Sequence, residues 1–300
     1  MLAPIVLFVY KRIWHTRKTV ESLKNNLLAD KSELFIFSDG PKNEKDTIQV
    51  EEVRSYLNSL DGFKKIEIIA SNENKGLANS IINGVTITLK KFGKAIVLED
   101  DLVSSPYFLN FMNDALDFYK EEFSIYSISG YGFPIEIPVN YKKDVYILPR
   151  SSSWGWATWL NRWEKADWKV TDYGQFRKNK MLHNQFNRGG NDLTPMLMSQ
   201  MNNYLDSWGI KWAYTHFKNS AFCLFPVVSQ IQNIGTDASG THFTRGTKKF
   251  DIDLSSNIDE IKLDKELELD ERILTRVRKL FNISVIRKII NLFRFHQFLA

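Results

Sequence analysis

Short apolar segments alternate with longer amphipathic segments along the first half of the chain. In one amphipathic segment, Val50, Val53 and Leu57 recur at steps of three and four, the spacing of one helix face. The segments predict strands at Ile5–Val9, Leu34–Phe37, Ile66–Ala70, Ala95–Leu98 and Ile125–Ser129, and helices at Thr16–Leu28, Asp46–Leu60, Leu77–Phe92 and Pro106–Tyr119. Because the strands are apolar throughout and are separated by helices, we expect an α/β fold with a doubly wound, mostly parallel sheet.

The second half of the chain is less regular. Residues 184–191 are polar and contain glycine, which predicts a loop, whereas Leu193–Leu205 has the pattern of a helix and Ala221–Phe225 that of a strand. Gly235–Gly246 is rich in Gly, Thr and Ser and predicts a flexible segment. Five of the eight tryptophans fall within Ser151–Trp168, which marks this stretch for packing or for ligand contact.

The last fifty residues differ from the rest in charge. Asp251–Glu271 carries nine carboxylates against two lysines, and Arg272–Ala300 then carries seven Lys/Arg and no acid, with aliphatic and aromatic residues interleaved. A basic amphipathic helix of this kind can lie among the headgroups of an anionic membrane. The alternative is a helix packed on the main domain or on a second subunit. We therefore divide the chain into a domain of residues 1–250 and a C-terminal helical tail of residues 251–300.

Composition excludes several classes of protein. The chain of 300 residues is 43% hydrophobic and 25% charged, which is typical of a globular protein and not of a disordered one. The single cysteine, Cys223, excludes disulfides and Cys-rich zinc sites, and no histidines form a His-x-x-x-His pair, so carboxylates are the plausible metal ligands. A net charge of +5 does not call for a nucleic-acid partner. Met1–Tyr10 is too short to span a membrane and no cleavage site follows it, which favours a cytoplasmic protein.

Polar residues follow four of the predicted strands. They are Tyr10-Lys11-Arg12, Ser38-Asp39-Gly40, residues 71–76, and Glu99-Asp100-Asp101. Ligands of open α/β sheets bind beyond the carboxyl ends of the strands, so we expect these four segments to share one crevice. No P-loop, no Gly-x-Gly-x-x-Gly after the first strand and no Gly-x-Ser-x-Gly elbow is present, which argues against a P-loop NTPase, a dehydrogenase and an α/β-hydrolase.

The acidic triplet Glu99-Asp100-Asp101 is the sharpest of these signals. Three adjacent carboxylates repel one another unless a cation neutralises them. Oxygen ligands select Mg²⁺ or Mn²⁺, which proteins hold through one or two carboxylates together with substrate phosphates. The alternative is a solvated acidic turn that caps the next helix. The position after a buried strand, among three other polar strand ends, favours a metal site.

The other strand ends suit a nucleotide. Arg12 offers planar donors to a base or a phosphate. Asp39 can accept a hydrogen bond from a base N–H, held in place by the turn at Gly40-Pro41, although it can also be only a turn residue. Lys75 and Gly76 open a predicted helix, where backbone N–H groups and a lysine suit a diphosphate.

These residues resemble the motifs of a known family. The chain resembles the nucleotide-sugar glycosyltransferases of the Rossmann-like GT-A fold, most closely the N-acetylglucosaminyltransferase I family and its bacterial relatives. The resemblance extends from about Pro4 to Phe243, and its carriers are Val9-Tyr10-Lys11-Arg12, Phe37-Ser38-Asp39-Gly40, Ala95-Ile96-Val97-Leu98-Glu99-Asp100-Asp101-Leu102 and Ser153-Trp154-Gly155-Trp156.

The resemblance implies a role for each matching residue. Asp101 would bind a Mn²⁺ or Mg²⁺ ion that bridges the diphosphate, and Asp100 would lie against the ribose. Glu99 would orient the sugar nucleotide. Arg12 and Asp39 would hold the base, which is uracil in the best-known members. The metal ion and Lys75 would together neutralise the charge that develops on the departing diphosphate.

The family inverts the anomeric centre and therefore uses a base that takes the acceptor proton. That base is an aspartate in an Asp-Asp-Trp stretch, for which Leu205-Asp206-Ser207-Trp208 is the nearest match, so we select Asp206. Ser207 departs from the pattern, which leaves Asp192 and Asp237 as alternatives. Asp206 can also be an ordinary surface carboxylate.

Two further segments are candidates for donor contacts. Trp154 is the best candidate for a sugar-facing ring, because Ser153 and Gly155 leave its surroundings open, whereas the neighbouring tryptophans suit core packing. Gly235–Phe243 falls where the family has a loop that closes on the donor, with His242 as a candidate contact to the diphosphate.

Together these features predict an inverting, metal-dependent glycosyltransferase. The donor would be a nucleoside-diphosphate sugar, with UDP as the expected nucleotide, and the acceptor a hydroxyl of a glycan or lipid-linked glycan in polysaccharide assembly. Residues 272–300 would place the enzyme peripherally on the inner face of the membrane. The alternatives are a nucleotidyltransferase and a non-catalytic membrane-attached binding protein. The identity of the sugar, the acceptor, the linkage and the oligomeric state stay open.

Overall fold

The computed structural model describes residues 1–237, 247–254 and 260–295. The strands are β1 (Ile5–Val9), β2 (Glu33–Ser38), β3 (Lys65–Ala70), β4 (Lys94–Glu99), β5 (Leu102–Ser104), β6 (Ile125–Ser129), β7 (Val145–Leu148), β8 (Trp156–Trp159), β9 (Phe222–Pro226) and β10 (Ile231–Asn233). The helices are α1 (Ile13–Lys24), α2 (Glu44–Leu57), α3 (Leu77–Phe92), α4 (Phe108–Phe118), α5 (Leu160–Trp163), α6 (Tyr173–Phe176), α7 (Lys180–Phe186), α8 (Leu193–Met201), α9 (Trp208–Lys218), α10 (Glu271–Leu280) and α11 (Val285–Phe295).

Eight strands form one sheet in the order β3-β2-β1-β4-β8-β6-β9-β7. The four strands β3, β2, β1 and β4 are parallel, and β6 pairs with β9 in the same way. Strand β8 runs antiparallel between β4 and β6, and β7 runs antiparallel along β9. The predicted α/β fold with a mostly parallel sheet is confirmed, and the antiparallel strands of its second half are an addition to the prediction.

Helix α3 shows how the sequence seats a helix on this sheet. Its bounds agree with those predicted, and Ile81, Val85 and Leu89 recur at the helical spacing and are buried. Gly84 faces the sheet, where a Cβ atom would come within 2.8 Å of the Phe8 ring. The helix ends at Gly93, whose φ of +77° is the left-handed conformation that favours glycine.

Several predicted elements need correction. Residues 184–186 belong to helix α7 and residues 187–189 to a 3-10 turn, so the predicted loop at 184–191 is wrong over most of its length. Helix α8 stops at Met201 and not at Leu205, since Asn203 adopts a φ of +60°. The predicted flexible segment Gly235–Gly246 lies outside the described residues from residue 238 onward.

The C-terminal region contains two helices with different surroundings. Ile273, Leu274 and Val277 of α10 are buried in the same core as β1 and α4, so for this helix the packing alternative holds. Residues 281–284 separate it from α11, whose apolar residues stay largely exposed. None of the helices in the described part of the chain is both long enough and apolar enough to cross a membrane.

A cluster of tryptophans fills the space between the sheet and helices α3, α5 and α9. Trp156 stacks on Trp208 with ring centroids 5.0 Å apart, and Trp163 lies 5.0 Å from Trp212. Trp156 and Trp163 are almost completely buried. These residues therefore serve packing, as expected for aromatic residues at this spacing.

We predict that Trp156→Ala lowers the free energy of unfolding by about 3–5 kcal/mol, because the truncation leaves a cavity among stacked rings. Urea denaturation followed by circular dichroism measures the change. Ile48→Ala, on the exposed side of α2, is the control and should change stability by no more than about 0.5 kcal/mol. Equal stability of the two variants would contradict the assignment of this cluster to the core.

Candidate functional site

The strand ends that carry polar residues lie side by side at one edge of the sheet. In the parallel register Phe8 is opposite Glu99 and Val9 is opposite Ser38, so Arg12, Asp39 and the acidic triplet leave the sheet from neighbouring strands. The Asp39 N–H donates to the Val9 carbonyl at 3.2 Å. The structure thus brings together the segments expected to share one crevice.

Arg12 faces the acidic triplet. Its Nη2 donates to Asp100 Oδ1 and, at 2.7 Å, to Asp101 Oδ2. Burial lowers the pKa of Arg12, but the two carboxylates outweigh this effect and raise it above its ordinary value. The Nη1 atom of Arg12 is buried and has no hydrogen-bond partner among the described residues. This donor beside the triplet is therefore not satisfied by the part of the protein that the structure describes.

The other residues of the first polar segment point elsewhere. Tyr10 donates to Asp46 of α2 at 2.9 Å, and the Lys11 ammonium donates to the same carboxylate at 2.6 Å. These contacts tie the end of β1 to α2. Arg12 is thus the residue of this segment that reaches the triplet.

The triplet has more negative charge than Arg12 can offset. Burial raises the pKa of Glu99 to about 8, and the charges of Asp101 and Asp100 act in the same direction while Arg12 opposes them. Asp100 is only 5% exposed, and burial also raises its pKa, against the influence of Arg12. An added cation would relieve this unfavourable charge.

The geometry restricts how a metal ion can bind. Within the described ranges, no group of three or more His, Cys, Asp or Glu side chains is arranged to hold a metal ion. The triplet is therefore not a cage of three protein ligands. Asp101 is partly exposed, and an oxygen-only donor set of this size fits Mg²⁺ or Mn²⁺, which take one or two carboxylates and complete their shell with phosphate and water.

Gly235 approaches Asp101 closely. The chain returns to the triplet through β10, which pairs antiparallel with β5, and the Ile234 N–H donates to the Asp101 carbonyl at 2.9 Å. A Cβ atom on Gly235 would lie 2.1 Å from Asp101 Oδ2. A larger residue here would force Asp101 or the segment itself to shift, a steric constraint that the place of Gly235 at the start of a Gly/Thr/Ser-rich segment did not reveal.

Asp39 holds the loop that precedes α3. Its carboxylate accepts from the backbone N–H groups of Lys75 (2.9 Å) and Gly76 (3.0 Å), from its neighbour Gly40 (3.0 Å), and from the side chain of Asn74 (3.2 Å). These bonds use about four lone-pair sites, the capacity of a carboxylate. These contacts are those expected if Asp39 is only a turn residue. Binding of a base by Asp39 stays a prediction, and it requires that a bond to the base replace one of these four bonds.

The same bonds change the expectation for Lys75 and Gly76. Their backbone N–H groups, which were candidates for a diphosphate, already donate to Asp39. The Lys75 side chain is exposed at the same edge, so charge neutralisation by its ammonium group stays a prediction. Arg54 of α2 is a contributor that the sequence did not reveal, since it donates to the carbonyl oxygens of Ser71 (2.6 Å) and Asp39 (3.3 Å) and so joins the ends of β2 and β3.

Asp206 lies beside this loop. Its Oδ2 atom is 4.0 Å from the position that a Cβ atom on Gly76 would occupy, and the side chain is exposed. Ser207, which replaces the second acid of the family pattern, accepts from the Ile210 N–H at 3.4 Å and caps α9. The tertiary structure thus brings a carboxylate from a distant part of the chain to the loop that Asp39 holds.

The two alternative bases have other partners. Asp192 forms a bidentate pair with Arg150, with both N–O distances at 2.8 Å, and the Arg150 guanidinium also stacks on the Phe281 ring at 3.4 Å. Asp237 lies 3.1 Å from Nε2 of the buried His15. Asp206 is thus the candidate for which the structure shows no such pairing, within the part of the chain that it describes.

The remaining predicted contacts are only partly visible. Trp154 is half-buried and packs edge-on against Tyr131 (4.6 Å) and Phe250 (5.8 Å), so a sugar-facing role stays a prediction. His242 lies outside the described residues. Trp14 was not singled out from the sequence; it is 55% exposed, follows Arg12 by two positions and packs edge-on against His15.

Comparisons with known proteins find similarity only to solved structures. No protein-family model matches the chain, and no curated protein matches it. A structure of S. aureus TarS aligns over 79% of this chain and 37% of its own, with a TM-score of 0.40 and 10% identity. TarS 1-349 aligns over 76% of this chain and 59% of its own, with a TM-score of 0.38 and 10% identity. The complex of TarS 1-349 with UDP-GlcNAc aligns over 48% of this chain and 38% of its own, with a TM-score of 0.32 and 14% identity. The chain thus spans less than two thirds of these structures, and similarity at this level assigns neither activity nor substrate.

We predict that Gly235→Ala lowers the free energy of unfolding by about 1–3 kcal/mol, because the new methyl group overlaps Asp101 Oδ2. The penalty should shrink in an Asp101→Ala background, where that oxygen is absent; urea denaturation of the four proteins in this double-mutant cycle measures the difference. Gly174→Ala is the control, since a Cβ atom there meets nothing within 4 Å. Additive effects of the two substitutions would show that the close approach is not the cause.

Proposed function

We propose that this chain is an inverting, metal-dependent glycosyltransferase that moves a sugar from a nucleoside-diphosphate donor, UDP-sugar as we infer, to an acceptor hydroxyl. The observation that carries the proposal is that segments separated in sequence meet at one sheet edge. Arg12, Asp39 and the triplet at residues 99–101 leave neighbouring strands. These are also the segments on which the resemblance to the GT-A glycosyltransferases depends. A shared donor site requires that the segments with the family's motifs lie together at the carboxyl ends of the strands, as these segments do.

Asp101 is the proposed ligand of Mn²⁺ or Mg²⁺. Its carboxylate is partly exposed, and the neighbouring acids leave the site short of positive charge. When bound, the ion would supply Lewis-acid stabilisation of the leaving diphosphate. Asp100 is held by Arg12 and is proposed to orient the ribose, and Glu99 to orient the sugar nucleotide. The Nη1 donor of Arg12, which has no partner among the described residues, is proposed to donate to the nucleotide.

Asp206 is the proposed base. It would take the proton from the acceptor hydroxyl while the acceptor oxygen forms a bond to the anomeric carbon. The bond from that carbon to the diphosphate oxygen breaks, and the nucleoside diphosphate leaves with the electron pair. Attack from the side opposite the leaving group inverts the anomeric centre. The exposed position of Asp206 beside the loop at Gly76 supports this assignment, because an acceptor has to reach the base from solvent.

The acceptor is proposed to be a hydroxyl of a glycan or of a lipid-linked glycan. A nucleotidyltransferase also needs a carboxylate metal site on an α/β sheet. The two activities differ in their products, since a nucleotidyltransferase releases pyrophosphate from a nucleoside triphosphate. Product analysis with both kinds of substrate therefore separates them.

We predict that Mn²⁺ strengthens UDP binding at least about tenfold and that Asp101→Asn removes most of this gain, a change of about 1.4 kcal/mol or more. Isothermal titration calorimetry with Mn²⁺ and with EDTA measures the affinities. Asp114→Asn, an exposed carboxylate on α4, is the control and should bind UDP like the unmodified chain. Equal affinities with and without Mn²⁺ would refute the metal role.

We predict that Asp206→Asn keeps the affinity for the donor within about twofold and lowers the transfer rate about 10²–10⁴-fold, because the amide cannot accept the acceptor proton. Sugar transfer and donor binding are measured on the same preparations. Asp192→Asn and Asp237→Asn serve as comparison variants. Retained turnover in Asp206→Asn, with loss in one of the others, would move the role of base to that residue.

A further inference from the structure

Helix α11 carries its apolar side toward solvent. Val285, Ile286 and Phe293 are 73%, 71% and 74% exposed, and Ile289 and Ile290 are about half exposed. An amphipathic helix on the surface of a globular protein ordinarily buries its apolar stripe. Helix α10 does so with Ile273, Leu274 and Val277, whereas α11 does the reverse.

The buried side of α11 offers less apolar surface for packing than its exposed side. Only Asn291 and Phe295 of this helix are buried. Both amide atoms of Asn291 lack a hydrogen-bond partner among the described residues, so the buried side includes an uncompensated polar group. Phe295 packs near Met198 of α8 and lies 6.5 Å from the Tyr204 ring. The domain therefore holds α11 by one edge and leaves its apolar stripe uncovered.

Basic residues border the exposed stripe. At 3.6 residues per turn the outward apolar residues cover roughly 160° of the helix, opposite Asn291 and Phe295. Arg287 and Arg294 flank the stripe on one side and Lys288 on the other, and the sequence has no acid from residue 272 to its end. An apolar stripe with cationic borders is complementary to a lipid surface with anionic headgroups, into which Lys and Arg side chains extend while the apolar side chains enter the acyl region.

We propose that α11 docks on an anionic lipid surface and holds this protein at a membrane without crossing it. The helix has 11 residues, a length of about 16 Å, which is half of the ~30 Å hydrocarbon core, so it would lie in the plane of the interface. This inference uses only α11 and its neighbours and does not depend on the catalytic proposal.

Tyr204, which contacts α11, relates the proposed docking to the candidate base. The Arg294 guanidinium lies over the Tyr204 ring at 4.9 Å, and Tyr204 precedes Asp206 by two positions. Tyrosine is common at membrane interfaces, where its ring is partly apolar and its hydroxyl stays wet. If the proposed function holds, a lipid surface at α11 lies beside the candidate base, which is where a lipid-linked acceptor would arrive.

The test is co-sedimentation of the full chain with vesicles. We expect binding to phosphatidylcholine vesicles that contain phosphatidylglycerol and at least about tenfold weaker binding to phosphatidylcholine alone, since basic residues near an anionic surface are attracted to its headgroups. The variant Ile286→Ser/Ile289→Ser/Phe293→Ser should lose binding to the anionic vesicles by at least about tenfold. Ile48→Ser/Val139→Ser, which changes exposed apolar residues elsewhere, is the matched control and should bind like the unmodified chain.

A second measurement reports the position of α11 directly. Cys223 is buried, so Phe293→Cys can be labelled selectively with a polarity-sensitive dye, and Val139→Cys is the control position. Anionic vesicles should shift the emission of the first label to the blue and leave that of the second unchanged. Failure of the unmodified chain to sediment, or equal sedimentation of the triple-serine variant, would overturn the proposal. A dimer in sedimentation velocity that the triple-serine variant abolishes, together with absent vesicle binding, would instead assign the stripe to a second copy of the chain.

Discussion

The concentration of negative charge at the end of β4 is the constraint on which the rest of the site depends. Asp100 and Asp101 share a single guanidinium, that of Arg12, and burial raises the pKa of both Glu99 and Asp100. A carboxylate cluster of this kind is tolerable only where cationic groups are held close to it. The parallel pairing of β1 with β4 supplies this, because it brings Arg12 out of the sheet beside the triplet.

Side-chain bonds to the backbone hold the neighbouring strand ends together. Asp39 binds the loop before α3, and Arg54 joins the carbonyl oxygens at the ends of β2 and β3. Gly235 lets a third segment approach Asp101 so closely that a Cβ atom would overlap the Asp101 carboxylate unless one of them shifted. Rigid positioning before a ligand arrives is what electrostatic stabilisation of a leaving group requires. The membrane contact proposed for α11 adds a second surface, next to Tyr204, which precedes Asp206 by two positions.

Local patterns predicted the parallel half of the sheet and missed much of the rest. Strand β1 and helix α3 have the predicted bounds, since a continuous apolar run and a helical spacing are both properties of adjacent residues. The antiparallel strands β7 and β8 have only four residues each, too few to show a period. Tail helix α10 packs into the main core, while α11 exposes its stripe, although both are basic and amphipathic in sequence. Composition alone does not distinguish these two outcomes.

By itself, the sequence determined the α/β class and the chemical groups at the strand ends, because the alternation of apolar runs with helical spacing, and the acidic residues that follow one of those runs, are properties of consecutive residues. Only the tertiary structure decided which of these groups meet: that Arg12 contacts two carboxylates far along the chain, that the bonds of Asp39 are already used, that Asp192 is paired and that Asp206 lies beside Gly76. The physical reason is that these contacts join residues from distant parts of the chain. Their geometry follows from the packing of whole elements and not from local spacing.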